Sequence, residues 1–167
     1  MVLDDVDPVA AIASQTPAQG WSAAEIAREV RETPSARYLV VVDAADGRVL
    51  GFAGMWLVVD IAHVTNMGVH PQHRRRGLGR LLLRGLIDAA LDGGTDAMTL
   101  EVRPSNAAAR ALYEEFGFYV SGERRRYYVD PPEDALIMTT EGLSTPAYGA
   151  RLASIDRRIE ESFQASP

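Results

Sequence analysis

A loop rich in arginine and glycine stands between an apolar strand pattern and an apolar helix pattern, over residues 69–80. Glycines just before a helix let the backbone approach a phosphate, and the helix's first N–H groups, unpaired within it, point at that phosphate. The loop lacks the Gly-Lys-Ser/Thr of the P-loop and the third glycine of the dinucleotide fingerprint. We therefore predict a pyrophosphate cradle held mainly by main-chain N–H groups, with a solvated turn as the alternative.

Glu101 lies in the middle of an apolar strand pattern, on the face opposite Leu100 and Val102. The strand follows a crossover helix, so we expect it to be central in its sheet. A carboxyl group that is partly desolvated there would have a raised pKa and could act as a general base near neutral pH. The alternative is an outward-facing charge on a half-exposed strand.

Asn106 and Tyr113 are seven residues apart on the next predicted helix, so they share a face. If that face lies toward the glycine loop, the Tyr113 hydroxyl could donate a proton to a thiolate or a similar leaving group. The alternatives are a core aromatic for Tyr113 and a helix cap for Asn106.

A second arginine run, residues 124–126, precedes Tyr127 and Tyr128. The combination resembles a nucleic-acid-binding patch, but in an acidic chain we interpret it as a solvated strand edge or the rim of a substrate site. The histidines lack the paired spacing of metal ligands, so we expect no metal site. We expect these three histidines to be exposed or hydrogen-bonded: His63, His70 and His73.

The composition limits the classes of protein to which this chain can belong. With 167 residues, 47% of them hydrophobic, it suits one compact domain. The net charge of −6 argues against sequence-independent nucleic-acid binding and suits a basic protein or peptide partner. The absence of cysteine excludes disulfides, thiolate metal sites and a cysteine nucleophile. Neither a signal-peptide pattern nor a bilayer-spanning apolar run is present, so we expect a cytoplasmic protein without a membrane partner.

Periodicity and capping signals predict the elements that position these residues. Helices are predicted at 8–14, from 22 to about 33, at 78–92 and 107–116 and, in the tail, at 150–163. Strands are predicted at 38–42, 49–58, 62–69, 98–103, 118–121, 126–129 and 135–139, with a hairpin turn that needs Gly47.

The strand, helix and strand between residues 62 and 102 form a βαβ unit, so we predict two parallel strands joined by a right-handed crossover. The remaining strands make antiparallel hairpins. The predicted fold class is α+β, a mixed and mostly antiparallel twisted sheet with helices on both faces. Ligands of such sheets bind beyond the carboxyl ends of the parallel strands, where the glycine loop lies.

These motifs resemble the GNAT superfamily of N-acetyltransferases. Its acyl-CoA signature is Arg/Gln-x-x-Gly-x-Gly/Ala after a strand that ends Val-x-Pro, and the chain has Val69-His70-Pro71 and then residues 74–79. The resemblance covers about residues 7–140. Residues 100–106, 111–118, 126–128 and 133–135 are most similar to members that acetylate the N-terminal alanine of a small-subunit ribosomal protein. The resemblance implies the GNAT fold, whose central parallel pair splays apart, and acetyl-CoA as co-substrate.

The resemblance also implies a role for each matching residue. Glu101 corresponds to the general base, acting through water on the substrate's α-amino group, and Tyr113 to the acid that protonates the leaving CoA thiolate. The residues whose main chain would pair with the pantetheine arm are Met67, Gly68 and Val69. The other residues that would hold the cofactor, mainly its pyrophosphate, are Arg74, Arg75, Arg76, Gly77, Leu78, Gly79, Arg80 and Asn106. The residues that would bind substrate are Trp21, Tyr127 and Tyr128.

The implied partner is a protein N-terminus, that of a ribosomal protein, and the enzyme is expected to be a monomer or weak dimer. We assign residues 1–140 to the acetyltransferase domain and 141–167 to a polar tail with an amphipathic helix, which could pack on the domain, dimerise or stay mobile. Few residues precede Asp7, so the family's first strand is very short or absent. The corner before Trp21 has Gln19-Gly20, where close relatives often carry an aromatic residue and Pro-Trp.

Three alternative functions stay open at this point. A GNAT enzyme for lysine side chains or a small amine would keep Glu101 and Tyr113 but change the rim near Trp21 and Tyr127. A non-catalytic acyl-CoA-binding module would need neither of the two catalytic candidates. An arginine-mediated RNA binder would bind RNA with a steep dependence on salt, and the net charge disfavours it.

Overall fold

The structure, a computed structural model, describes residues 1–16 and 21–164. These residues form two short 3-10 turns, five helices and six strands. The turns are Leu3–Asp5 and Pro71–His73, and the helices are α1 (Val6–Ala13), α2 (Ala23–Glu32), α3 (Leu78–Asp92), α4 (Ala107–Glu115) and α5 (Pro146–Gln164). The strands are β1 (Ala36–Val42), β2 (Val49–Val58), β3 (Ile61–Val69), β4 (Ala97–Val102), β5 (Tyr119–Val129) and β6 (Pro132–Glu141).

Local signals placed the predicted helices correctly to within a few residues of their ends. At the start of α2, the Ser22 hydroxyl accepts a hydrogen bond from the Glu25 N–H at 3.3 Å, and the Glu25 carboxylate accepts one from the Ser22 N–H at 2.8 Å. This reciprocal pair satisfies two of the unpaired donors of the first turn. Between β1 and β2, Gly47 has the positive φ of 72° that the hairpin turn requires.

The prediction of two separate strands at 118–121 and 126–129 is wrong. Both segments belong to one strand, β5, which pairs with β6. The ladder is irregular between Arg124 and Tyr128, and Arg126 has a positive φ of 53°. Since a bulge bends a strand without removing it from its sheet, the arginine run interrupts the pairing but does not end the strand.

The described strands form one sheet in the order β1-β2-β3-β4-β6-β5. As predicted, β3 and β4 are parallel and joined through α3, and the other neighbouring strands are antiparallel. Alternate residues of a strand point to opposite faces. Phe52 of β2 packs with α1 and α2 in one hydrophobic core, whereas Ala53 and Met55 pack with α3 and α5 in the other. Helices therefore cover both faces of the sheet, which confirms the predicted fold class.

Strands β3 and β4 separate before either of them ends. Their last pair is Val64 with Leu100, although β3 continues to Val69 and β4 to Val102. At this point β3 carries a bulge, which leaves Thr65 without a partner in β2. A bulge bends its strand, so β3 turns away from β4 and a gap opens between them. Within the described chain, the β3 backbone groups that face this gap have no partner in β4, so they are available to a ligand.

Helix α5 packs against the larger of the two cores. The residues that it buries there are Tyr148, Leu152, Ile155 and Ile159. The Tyr148 hydroxyl donates a hydrogen bond to the backbone carbonyl of Phe116 at 2.9 Å. Of the three arrangements left open for the tail helix, the structure shows packing on the domain, while the boundary at residue 140 stays a prediction. Neither α5 nor any other described helix has the length and apolarity to cross a membrane.

The packing of α5 predicts a large loss of stability on truncating one buried side chain. Ile155→Ala removes a side chain that is 2% exposed, and we expect the free energy of unfolding to fall by about 2–4 kcal/mol because a cavity is left behind. The matched control is Arg157→Ala on the exposed face of the same helix, for which we expect a change within about 0.5 kcal/mol. Urea denaturation measures both, and equal effects would mean that α5 does not belong to the folded core.

Candidate active site

The N-terminus of α3 lacks a side-chain cap, unlike those of α2 and α4. Its N-cap residue is Gly77, which has a φ of 82°, a left-handed conformation that glycine adopts at little cost. The Leu81 N–H makes the first bond within the helix, to the Gly77 carbonyl. In the described structure, the N–H groups of Leu78, Gly79 and Arg80 therefore remain for a ligand, and the helix dipole favours an anion there.

A cavity of about 690 Å³ opens beside this helix end. Its walls come from the open edge of β3, the glycine loop and one face of α4. The predicted cofactor residues that line it are Met67, Gly68, Val69, Arg74, Arg75, Gly77, Leu78, Gly79, Arg80 and Asn106. Of the predicted set only Arg76 is absent from the lining, and its guanidinium contacts Nδ1 of His73 at 3.1 Å.

The arginines of the loop differ in what their side chains do, although the sequence makes them look alike. The Arg74 guanidinium donates hydrogen bonds to the backbone carbonyls of Val69 and Gln15, both at 3.1 Å, so it holds the loop to the end of β3. Arg80 forms an ion pair with Glu115. Arg75 has no hydrogen-bond or ion-pair partner among the residues described, and it lines the cavity. Its positive charge is therefore available to an anion.

A second cavity, of about 240 Å³, adjoins the first at the gap between β3 and β4. The two cavities share Met67, Asn106 and Ala109 in their linings. The predicted catalytic and substrate residues lie together around the second cavity: Glu101, Tyr113, Trp21, Tyr127 and Tyr128. The anion-binding helix end and the titratable groups thus lie on adjoining parts of one site, as the topology predicted.

The Glu101 carboxylate is nearly buried and lies between the side chains of His63 and Arg124. Its side chain is 6% exposed, one oxygen is 3.0 Å from Nε2 of His63, and the other is 3.0 Å from Nε of Arg124. Burial raises the pKa of Glu101, but the hydrogen bond and charge of His63 and the charge of Arg124 outweigh it, and the net pKa is lowered. The predicted raised pKa is therefore wrong, because the sequence did not reveal these partners. Glu101 is ionised at neutral pH.

Sequence reasoning did not find that His63 and Arg124 pair with Glu101. His63 is paired directly with Thr99 in the parallel register, two residues before Glu101, so its side chain reaches Glu101 on the same face of the sheet. Arg124 reaches Glu101 from β5, across the intervening strand β6. Strand periodicity could have put His63 and Glu101 on one face, but no local signal gives the register between β3 and β4. The expectation that His63 is hydrogen-bonded is confirmed.

Tyr113 and Asn106 each combine the two roles that the sequence left open. The Tyr113 ring is buried against Phe118, at a centroid distance of 5.8 Å, and the residue also lines the second cavity. Burial strongly raises the pKa of Tyr113, and its hydroxyl has no hydrogen-bond partner within the described chain. Asn106 caps α4, since its side-chain oxygen accepts a hydrogen bond from the Ala109 N–H at 3.2 Å, and it lines both cavities.

Aromatic side chains surround the open side of the second cavity. Trp56 stacks on His63 at 6.1 Å and meets Trp21 at 6.4 Å between ring centroids. The Trp56 indole N–H donates a hydrogen bond to Glu29 at 2.5 Å. Opposite them, Tyr127 meets the edge of Tyr128 at 5.1 Å. Gln19 and Gly20, the corner before Trp21 at which the sequence departs from close relatives, lie outside the described residues.

Tyr128 is held by a cation above its ring. The Arg103 guanidinium lies 4.0 Å from the ring centroid and donates hydrogen bonds to the backbone carbonyls of Asp130 and Pro131, both at 2.9 Å. Burial raises the pKa of Tyr128 to about 12, so its hydroxyl stays protonated. No three histidine or carboxylate side chains of residues 1–16 and 21–164 form a group that could hold a metal ion.

Known proteins are similar to this chain in sequence and in structure. Residues 7–118 match the family described as Acetyltransferase (GNAT) family. A protein of Bacillus subtilis (strain 168), named as a candidate ribosomal protein bS18-alanine N-acetyltransferase, is 38% identical over 138 residues, which are 83% of this chain and 90% of that protein. The crystal structure of the ribosomal-protein-S18-alanine N-acetyltransferase from Escherichia coli has a TM-score of 0.75 at 35% identity, covering 85% of this chain and 90% of that chain. The Salmonella typhimurium protein yncA, solved with its cofactor acetyl-CoA, has a TM-score of 0.71 at 25% identity, covering 84% and 90%.

The ion pairs of Glu101 predict how its titration responds to loss of a partner. Carboxyl-detected NMR of the folded protein should give a pKa below the ordinary glutamate value, and His63→Phe, which keeps an aromatic ring but removes the hydrogen bond, should raise it. The control His73→Phe should leave it unchanged. Because folding lowers this pKa, the stability that Glu101 contributes is present above the ordinary value and is lost as the pH falls through the lowered one. A raised pKa in the unmodified protein would contradict the geometry.

Proposed function

Since the chain belongs to the GNAT acetyltransferase family, we propose that it acetylates the α-amino group of an N-terminal alanine of a ribosomal protein. Family membership makes it an N-acetyltransferase that uses acetyl-CoA. The acceptor is inferred from the relatives, which are named for alanine acetylation of a ribosomal protein. The observation that carries the proposal is that Glu101 and Tyr113 line one cavity at the strand gap, and that this cavity adjoins another, which is lined by an uncapped helix N-terminus.

The residues of the larger cavity fit the parts of acetyl-CoA. The N–H groups at the start of α3 hold the diphosphate, and Arg75 adds a positive charge that no described residue neutralises. The open edge of β3, at Met67, Gly68 and Val69, pairs with the amides of the pantetheine arm as a neighbouring strand would. Asn106, which lines both cavities, lies where the thioester has to enter the second one.

Glu101 acts as the base that accepts a proton from the acceptor amine, through a water molecule. An α-amino group has a pKa of about 8, so its deprotonation at neutral pH costs only about 1 kcal/mol. A carboxylate with a lowered pKa is a weak base, but it is ionised at neutral pH, and His63 and Arg124 fix the directions of both its oxygens. Its contribution is to orient the amine and to receive its proton as the new C–N bond forms.

Tyr113 acts on the other side of the reaction, at the sulfur. As the C–S bond breaks, its hydroxyl donates a hydrogen bond and then its proton to the leaving thiolate. Burial raises the pKa of Tyr113, so the hydroxyl is protonated at every pH at which the acceptor amine is reactive. Its lack of a partner in the described structure leaves this donor available to the sulfur.

The aromatic rim and the net charge suit the proposed acceptor. Trp21, Trp56 and Tyr127 offer flat apolar walls to an extended peptide that reaches Glu101. The chain has a net charge of −6, and ribosomal proteins are usually cationic, so long-range attraction favours the encounter. Lysine acetylation would use the same two catalytic groups, so the position of the acetylated nitrogen has to be tested directly.

Removing either catalytic group should slow acetyl transfer without weakening acetyl-CoA binding. For Glu101→Gln and for Tyr113→Phe we expect kcat to fall by about 10²- to 10⁴-fold, the range of general acid–base catalysis. The matched controls are two exposed residues of β5, changed as Glu123→Gln and Tyr119→Phe, which should keep full activity. Release of free CoA measures the rate, and activity within twofold of the unmodified enzyme for both variants would mean that Glu101 and Tyr113 are not the catalytic groups.

Peptide acetylation followed by mass spectrometry should place the acetyl group on the α-nitrogen. We expect a peptide that begins with alanine to gain one acetyl group, and the same peptide with a blocked N-terminus and an internal lysine to gain none. A series that varies only the first two residues should favour alanine at the first. Modification of the blocked peptide at lysine would overturn the α-amino assignment while leaving the acetyltransferase activity intact.

A further inference from the structure

Glu115 introduces a negative charge into the cavity to which we assign the diphosphate. Glu115 lines that cavity, and its side chain is 15% exposed. A carboxylate so placed repels phosphate unless cations compensate for it. Two arginines contact it. Nε of Arg80 donates hydrogen bonds to both oxygens, at 2.9 and 3.0 Å, and Arg158 donates one to Oε1 at 3.2 Å.

The charge of this cluster depends on the second arginine. Arg80 and Glu115 alone form a neutral pair, so the Arg80 charge would be cancelled in the place where an anion has to bind. With Arg158 added, two guanidinium groups share one carboxylate, and the cluster carries a net positive charge. With Arg158 this wall of the cavity has a net positive charge that attracts a phosphate, and without Arg158 it has none.

Arg158 belongs to α5, which lies outside residues 7–118 that match the family. The helix is held beside the cofactor loop by contacts of its own. Asp156 forms an ion pair with Arg84 of α3 at 2.9 Å. The end of α5 also lies close to the N-cap of α3, since a Cβ atom added to Gly77 would be 2.9 Å from the Cβ atom of Ser162. The helix thus delivers Arg158 to one wall of the cavity.

We propose that Arg158 is a positioning residue for acetyl-CoA: it neutralises Glu115 and so leaves Arg80 able to attract the diphosphate. The inference rests on the proposed placement of the diphosphate at the start of α3. It gives the C-terminal helix a part in the reaction, although Arg158 need not touch the co-substrate. Arg158 affects only the binding of the part of acetyl-CoA that carries the phosphates, so it does not affect the rate of the chemical step.

The first test compares two neighbouring arginines of α5. Calorimetry with acetyl-CoA at low salt should give a dissociation constant about fivefold higher for Arg158→Gln, the effect of losing one exposed ion-pair partner. Arg157→Gln has the same change of charge on the same helix, but Arg157 has no described contact with the site, and it should bind like the unmodified enzyme. High salt should reduce the difference, because screening weakens exposed charges.

A second arm separates this role from a merely structural one. In a Glu115→Gln background, where there is no carboxylate to neutralise and Arg80 keeps its charge, Arg158→Gln should cause a smaller loss of acetyl-CoA affinity than in the unmodified enzyme. Transfer from S-acetylpantetheine, which has no diphosphate, should proceed with the same kcat/KM in Arg158→Gln and in the unmodified enzyme. A folding defect would instead lower both activities and the melting temperature.

The inference is overturned if Arg158→Gln binds acetyl-CoA like Arg157→Gln, or if its loss persists undiminished in the Glu115→Gln background. Arg75→Ala provides the reference for the diphosphate site itself, and we expect its dissociation constant to rise about tenfold through loss of a charge-assisted contact. If Arg75→Ala weakens binding and Arg158→Gln does not, only the role of α5 is wrong. If neither variant weakens it, neither side chain contributes to diphosphate binding, and both the role of α5 and the role of Arg75 are wrong, while the peptide assay still tests the proposed acetyl transfer separately.

Discussion

The separation of β3 and β4 after the pair Val64 and Leu100 is the constraint on which the site depends. The bulge at Thr65 bends β3 away from its parallel neighbour. That bend does three things at once. It exposes one backbone edge of β3, it opens the second cavity next to the one at the N-terminus of α3, and it brings Glu101, the residue after the last pair, to the wall of that second cavity. A regular parallel pair would close the gap and leave no cavity beside the carboxylate.

The same electrostatic arrangement occurs at both ends of the site. Glu101 lies between His63 and Arg124 in one cavity, and Glu115 lies between Arg80 and Arg158 in the other. A poorly hydrated carboxylate is costly unless it is paired and hydrogen-bonded. Two partners on each carboxylate fix the direction in which it points and favour its ionised form.

Local features of the fold could be predicted because their causes are local. The capping box of Ser22 and Glu25, the turn at Gly47 and the glycine at the start of α3 follow from the backbone preferences of a few adjacent residues. The central position of the strand that carries Glu101 followed from the crossover connection. The two errors have a different origin. The prediction of a raised pKa for Glu101 considered only its burial and not its charged partners. The prediction of two strands in place of β5 assumed that the charged run at residues 124–126 ends a strand.

The sequence by itself determined the family signature and the parallel pair, and it put forward Glu101 and Tyr113 as candidates, since all of these depend on residue type, spacing and the order of elements. Only the tertiary structure decided which side chains meet. His63, Arg124 and Arg158 reach their carboxylates from β3, β5 and α5, and no periodicity encodes the register between distant strands or the rotation of a packed helix. The pKa of a group depends on the charges within a few ångströms of it, and in this chain those charges come from segments far apart in the sequence.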